Sequence, residues 1–554
     1  MLPNLTLLDP ACGSGAFLVA AMKTLINVYA AVVGRIEFLN NRNLTDWLRT
    51  TKREHPSIGY FIKKRIITDN LFGVDIMEEA TEIAKLRLFL ALVAAVDHVD
   101  QLEPLPNIDF NILAGNSLIG LMHVEDEEFN RRNAQGNLFR KSYQEILKEK
   151  NRLIEQYCHT SSISEDLTAL RDNIQRKKAE ALETLDQILL DEFSKHLGIK
   201  FEQATWDAAK NTEGKPSRRA LTRADIRTLH PFHWGYEFDE ILNKRGGFDA
   251  IVTNPPWEIF KPNAKEFFDD HSDLVSKNKM RIEDFEKEKT TLLRNSDLRG
   301  AWLEYLSRFP HVSAFYRSAA QYRNQVSIVN GKKAGTDINL YKLFLEQCFS
   351  LLRPGGRCGI IVPSGIYTDL GTKQLRQLLF EAAEIDTLFG LSNEKYIFEG
   401  VHHSWRLCLL SFTKGGETVG FSGAFRVNPR EAITPDQLDH FLHASLEHLR
   451  IPITLVRRLS PESLSVVEFR NDTDLQIAQK MLGFPRLGEP IDHAWNLVLG
   501  NELHMTGDSR LFKSAPHPGR LVLYEGKMIH QFTTLVSGLL SLCHKGFQVR
   551  QRRL

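Results

Sequence analysis

Cysteine is scarce, and no strong bias in charge is present. Six cysteines occur in 554 residues, with no C-x-x-C pair and no His/Cys group at zinc spacing. That excludes a disulfide-stapled secreted scaffold and a structural zinc site, and it points to a reduced, cytoplasmic setting. Lys+Arg number 70 against 69 Asp+Glu, a formal net charge of +1. A polybasic tail-type binder of nucleic acid or membrane is disfavoured, although a local basic groove is not. Apolar runs are short: Leu88–Val96 falls far below the ~20 residues that a membrane span needs. The N-terminus has no basic leader, and Asp9 interrupts its first apolar stretch, so no signal peptide or membrane association is expected.

What is present is ordinary globular composition, 42% hydrophobic and 25% charged, long enough for two to four structural units. Leu5–Asp9 reads as a strand that breaks at Pro10 and two glycines before a helical pattern over Ala16–Tyr29. A second buried-type strand covers Leu71–Ile76, and a helix follows from Glu78 to about Val96. Further strands are predicted at Ile108–Leu113, Phe248–Val252, Arg357–Val362, Asp386–Leu391 and Arg406–Phe412. Helices are predicted at Leu340–Leu352 and Gly371–Ala383. This alternation predicts an α/β fold with a doubly wound parallel sheet.

Residues 129–230 depart from it. Ile146, Leu147, Leu153, Ile154 and Tyr157, then Leu167, Leu170, Ile174, Leu182, Leu185 and Ile188, recur at helical spacing. They predict a charged helical hairpin, with Ser162 and Glu165 as a capping box between its arms. The basic residues Lys215, Arg218, Arg219, Arg223 and Arg227 follow. Phosphate contact is one reading; a solvated helix face balanced by Asp225 and Glu213 is at least as good. Beyond residue 416 the alternation fades and a separate C-terminal region is expected.

Two elements carry chemistry. Asp9-Pro10-Ala11-Cys12-Gly13-Ser14-Gly15 lies at a strand-to-helix junction, where glycines permit positive φ and close approach of a ligand. The turn has neither the G-K-[ST] ending of a P-loop nor G-x-G-x-x-G spacing. Asp9 would repel a pyrophosphate but suits a cation, and Asp75, ending the next strand, suits ribose hydroxyls. Together they predict S-adenosylmethionine rather than a dinucleotide; a bare helix N-cap would explain Asp9 alone. Asn254-Pro255-Pro256-Trp257 ends an Ile/Val-rich strand. Its prolines remove backbone donors. The Asn254 amide and the Pro255 carbonyl can accept from one planar NH2 group while Trp257 stacks on its ring, and acceptors so placed stabilise charge developing on the amine. No Pro-Cys dipeptide occurs, which argues against methylation of a cytosine ring carbon, and no metal is called for.

The words DPACGSGAFL at 9–18, GVDI at 73–76, GNSLIG at 115–120, GGFDAIVTNPPW at 246–257 and LYEGKMIHQF at 523–532 resemble the N6-adenine-specific DNA methyltransferases of type IIG restriction–modification and phage-defence (BREX-like) systems. The resemblance implies a Rossmann-like methyltransferase fold whose cofactor half spans 1–128 and catalytic half 231–415. A helical insertion occupies 129–230, and an incomplete target-recognition region 416–554. It implies that Asp9 to Gly15 hold the methionine part of S-adenosylmethionine, that Asp75 and Ile76 hold the ribose side, and that Asn116 faces the adenine. Asn254 to Trp257 would be the catalytic loop and Phe398 a second stacking residue. The implied substrate is adenine flipped out of double-stranded DNA, with a separate nuclease or other defence subunits as partners. Relatives carry a motif ahead of the glycine turn and a long region after LYEGKMIHQF, where 22 residues ending in Arg550, Arg552 and Arg553 follow here. Truncation at both ends is therefore expected. An RNA or protein-glutamine N-methyltransferase and an inactive DNA-binding subunit are the alternatives.

Overall fold

The computed structural model describes residues 2–36, 38–39, 41–55, 57–94, 98, 106–133, 141–159, 165–269, 282–326, 328–329, 332–333, 337–394, 398, 401–427, 440–444, 448–486, 488–493, 508, 511–513, 520–522 and 548–550. The Ser162–Glu165 capping box, LYEGKMIHQF and the side chains of the terminal arginines lie outside what is described. The chain divides into two compact units, Met1–Gln476 and Ile477–Leu554.

The first unit is built on a nine-stranded sheet. Its strands are β1 (Leu7–Asp9), β2 (Leu71–Asp75), β3 (Ile112–Ala114), β4 (Phe248–Thr253), β5 (Leu352–Pro363), β6 (Ala383–Ser392), β7 (Arg406–Lys414), β8 (Gly420–Val427) and β9 (Leu449–Pro452). They lie in the order β9-β8-β6-β7-β5-β4-β1-β2-β3. Neighbours from β3 to β5 are parallel, and β7 runs antiparallel between β5 and β6. This is the doubly wound α/β sheet expected from the sequence, except that β7 and β9 run antiparallel in a sheet expected to be parallel. Strand order reverses at β1 and β4, which places a ligand crevice at their carboxyl ends. Leu7, Leu8 and Asp9 are all buried, as a parallel strand covered on both faces requires.

Helix α1 (Ala16–Ile36) and helix α2 (Glu78–Val93) follow β1 and β2. Among the described residues α1 is the helix long and apolar enough to cross a membrane by length and composition. Lys23 and Thr24 interrupt its apolar stretch, so it contains no long unbroken apolar run. Its Leu18, Met22 and Leu25 are buried in one cluster with Leu71, Leu88 and Ile112. The helical hairpin appears as α3 (Tyr143–His159) and α4 (Glu165–Asp191). Leu153, Tyr157 and Ile174 form one small core there, and Leu147, Ala181 and Leu185 join Tyr236 in another.

Residues 201–219 correct the helical reading. Phe201–Gln203 pairs with Ser217–Arg219, and Trp206–Asp207 with Thr212–Glu213, as antiparallel ribbons. The sheet also runs past the boundary expected at 416, because β8 pairs with β6 and β9 with β8. In the second unit Gln548–Arg550 pairs with both Phe512–Lys513 and Arg520–Val522.

Lys150 of α3 ties the insertion to the chain entering β4. Its Nζ lies 2.7 Å from Asp239, with both side chains buried, and it also donates to the Tyr236 and Glu237 carbonyls. Removing one partner of such a pair leaves a buried charge uncompensated. Lys150→Ala is expected to destabilise the first unit by ~3–5 kcal/mol, read by denaturant unfolding; a loss below 1 kcal/mol contradicts this account.

Candidate active site

β1 delivers Asp9 to the crevice, and the chain then turns sharply. Gly13 and Gly15 adopt φ of +49° and +79°, which side-chain-bearing residues rarely take. A Cβ on Gly15 would lie 2.9 Å from that of Ala84 in α2, so only glycine allows the turn to seat against that helix. The Cys12 amide donates to the Val74 carbonyl (3.0 Å). Arg87 of α2 donates to the carbonyl and hydroxyl of Ser14. The Pro10 carbonyl accepts from Ser117 Oγ (2.5 Å).

Asp75 grips the same turn. Its Oδ2 accepts from the Gly13 amide at 2.8 Å and its Oδ1 from the Met77 amide at 3.0 Å. Asp9 is 1% exposed; its Oδ1 accepts from Thr253 Oγ1 at 2.7 Å and from the Ala11 amide at 3.1 Å. Burial pushes its carboxyl up to about 7, with Asp75 adding repulsion and the two hydrogen bonds opposing it. A buried carboxyl poised at neutrality is a fitting counter-ion for a cationic ligand, so these residues fit S-adenosylmethionine.

Asn116 lies beyond β3. Its Oδ1 accepts from the Leu118 amide (3.1 Å), and its backbone N–H donates to the His230 carbonyl (2.7 Å). Here the end of the insertion returns: Phe232 N–H donates to the Ile119 carbonyl (2.7 Å), and a Cβ on Gly120 would lie 1.9 Å from the Phe232 carbonyl oxygen. Ile76 and His230, both exposed, line a cavity of about 730 Å³ together with half-buried Pro231 and buried Gly115 and Phe232. Pro231 and Phe232 gave no sequence signal, because a chain segment more than a hundred residues from Gly115 carries no local pattern of that contact.

The catalytic-loop candidate leaves β4 at Thr253. Asn254 Oδ1 is buried and has no hydrogen-bond partner among the described residues. Pro255 is buried and Pro256 exposed. Trp257 Nε1 donates to the Ile361 carbonyl (3.3 Å) in β5, and the loop beyond is pinned by Leu340 N–H to Glu258 O and Phe260 N–H to Ile338 O. Asn254, Trp257, Tyr305, Phe309, Phe398 and Trp405 line a cavity of about 1200 Å³. Phe398 meets Trp257 edge-on at 5.5 Å. Burial pushes the Cys12, Cys348 and Cys408 thiols up, away from nucleophilic character at neutral pH.

The basic stretch follows the solvated-face reading. Arg218 pairs with Glu202, Arg219 with Asp225, and Arg223 and Arg227 with Glu183. Glu213 accepts instead from Lys289 and Trp302.

Residues 69–292 and 315–398 match the Eco57I restriction-modification methylase family, more than half of the chain. The chain belongs to the Eco57I restriction-modification methylase family. That match runs from Asp69, ahead of β2, through the Asn-Pro-Pro-Trp loop to Phe398, and residues 1–117 match the MmeI DNA-methyltransferase domain. A Methanocaldococcus jannaschii protein described as a type II restriction enzyme and methyltransferase is 31% identical over 297 residues, 48% of this chain and 23% of its own. The chain thus spans about a quarter of that curated relative. The crystal structure of the EcoKI M protein is similar at TM-score 0.32 and 11% identity, covering 87% of this chain and 66% of that one. The type IIL enzyme MmeI in complex with DNA gives TM-score 0.29 and 13% identity, covering 81% and 34%. Membership rests on the Eco57I match and not on these low scores.

Asp9 carries a pH signature. Its folded pKa of about 7 exceeds the ordinary 3.8, so it binds a proton more tightly folded than unfolded, and its ionisation costs stability increasingly as pH rises from 3.8 to 7. Asp9→Asn is expected to stabilise the chain above pH 7, by at most ~4 kcal/mol, with the gain vanishing near pH 4. Urea unfolding at the two pH values checks this; equal effects at both remove the burial argument.

Proposed function

We propose that the chain transfers a methyl group from S-adenosylmethionine to the N6 amino group of adenine rotated out of double-stranded DNA. The modification would serve a restriction–modification or phage-defence system in which a separate nuclease or other subunits act as partners. The observation that carries this reading is the buried, unpartnered Oδ1 of Asn254. A buried acceptor left unsatisfied costs ~1–3 kcal/mol, and a planar amine donor arriving from the aromatic cavity relieves that cost.

Bound S-adenosylmethionine supplies an electrophilic methyl group on a sulfonium. On the chain's side, Asp9 in its ionised form offsets the cofactor's positive charge, Asp75 and Ile76 take the ribose side, and Asn116 keeps an amide N–H for the adenine. Residues Pro10 to Gly15 shape the turn that admits the methionine part. At the substrate, Asn254 Oδ1 and the Pro255 carbonyl accept hydrogen bonds from the two N–H groups of the amine. Those hydrogen bonds favour the pyramidal amine, whose lone pair is free to attack, and they strengthen as positive charge develops on nitrogen. Trp257 stacks on the base and holds it in line. No cysteine adduct is needed.

Incubation with labelled S-adenosylmethionine and duplex DNA, RNA or protein tests the substrate class: label is expected in DNA and on N6 of adenine. Label entering only RNA or a glutamine side chain overturns the proposal, and no cofactor binding by calorimetry turns it toward an inactive DNA-binding subunit. Asn254→Ala is expected to lower transfer by ~10²–10³-fold with cofactor Kd unchanged. Because Asp9 titrates at about 7 and binds the cation when ionised, cofactor affinity should strengthen as pH rises through 7. Asp9→Asn should bind more weakly and lose that dependence; a pH-independent wild type contradicts the role given to Asp9.

A further inference from the structure

Trp257 meets two rings from the segment joining β6 to β7, in different ways. Phe398 stands edge-on, its plane at 72° to the indole and its centroid 5.5 Å away. Trp405 lies nearly parallel, at 17°, with centroids 6.2 Å apart. A planar ring stacked on Trp257 is therefore nearly parallel to Trp405 and nearly perpendicular to Phe398, so Trp405 offers the second face. Two stacking contacts of ~3.5 Å each require ~7 Å between the planes; centroids 6.2 Å apart set the upper limit of that separation, so the two indoles must part by at least about 1 Å to admit a base. Trp405 is 41% exposed and lines the cavity that also holds Asn254 and Trp257.

The described residues around both rings are fastened. Asn393 is fully buried. Its Nδ2 donates to the carbonyls of Phe398 (3.2 Å) and Val401 (2.9 Å), and its Oδ1 accepts from the Phe398 amide (3.0 Å). Its backbone N–H donates to the Trp405 carbonyl (3.1 Å), and Trp405 N–H donates to the His402 carbonyl (3.0 Å). β7 starts at the next residue, Arg406, so the backbone of Trp405 is anchored at both ends.

We propose that Trp405 is the second stacking face for the substrate ring: the target base enters between Trp257 and Trp405, and Phe398 closes one side. This rests on the methyl-transfer reading above and moves to Trp405 the stacking role expected of Phe398.

The test uses the full chain, saturating labelled S-adenosylmethionine and unmethylated phage DNA. Trp405→Ala is expected to lower methyl incorporation about 5- to 100-fold, more than Phe398→Ala does, with cofactor Kd unchanged. Trp405→Phe, which keeps an aromatic face, should stay within about threefold of wild type. Wild-type incorporation by Trp405→Ala overturns the stack. So does a Trp405→Phe variant no better than Trp405→Ala, and this comparison decides the matter if the alanine variant also loses cofactor binding. A wild-type chain that puts no label into DNA overturns the methyl-transfer reading as well, which separates the two failures.

Discussion

The site depends on one buried hydrogen bond between residues 244 positions apart, from Thr253 Oγ1 to Asp9 Oδ1. It joins the ends of β1 and β4, the adjacent strands where the sheet's order reverses. Pro10 follows Asp9 and Asn254 follows Thr253, so the bond sets the glycine turn and the catalytic-loop candidate in fixed register. Parallel strand pairing alone brings these ends to one edge. The side-chain bond removes the remaining freedom, and it partly offsets the desolvation that holds Asp9 near neutrality. Position and charge at the crevice therefore have a common origin.

The insertion is part of the same construction. Its helices make their own small cores, but its return segment lies across the loop after β3, through the bonds of His230 and Phe232 to Asn116 and Ile119. The contact is close enough that Gly120 admits no Cβ. An insertion placed between β3 and β4 can thus form one wall of the cavity beside Ile76 while leaving the order of the sheet intact. The arginines at its end are engaged by Glu183, Glu202 and Asp225, so they brace the insertion. Near-neutral net charge is consistent with that use.

Much of this was legible in the sequence because it is local. The strand-turn-glycine-helix run around Asp9 and the Asn-Pro-Pro-Trp tetrapeptide fix their backbones within a few residues, and periodicity marked β4, β5, β7 and the two long helices of the insertion. The failures are equally physical. The ribbons at 201–219 are too short and too polar to show an alternating pattern; one pairs across 14–18 residues and the other across 5–7. β8 follows β7 after a short turn at Gly415 and Gly416 and then pairs with β6, not β7, a topology that no local spacing encodes. Pro231, Phe232 and Trp405 reach the site through tertiary contacts alone. Thr253 carries no signal of its own, because a threonine ending a strand is ordinary until its partner Asp9 is brought beside it.

Two asparagines show how the site divides its polar groups. Asn393 is buried with its amide engaged on both sides, donating to carbonyls of the 398–402 segment and accepting from Phe398; a saturated amide of this kind fixes a loop at no desolvation loss. Asn254 is its opposite, with a buried oxygen that finds no donor among the described residues. The surrounding structure prevents the loop from turning that oxygen elsewhere: Pro255 and Pro256 restrict its backbone, Trp257 is tied to Ile361, and Glu258 and Phe260 are paired with 338–340. A fully satisfied amide stiffens the aromatic wall, and an unsatisfied one belongs to a residue that lines the same cavity. Rigidity on one side is what allows the other to keep a buried acceptor unpaired.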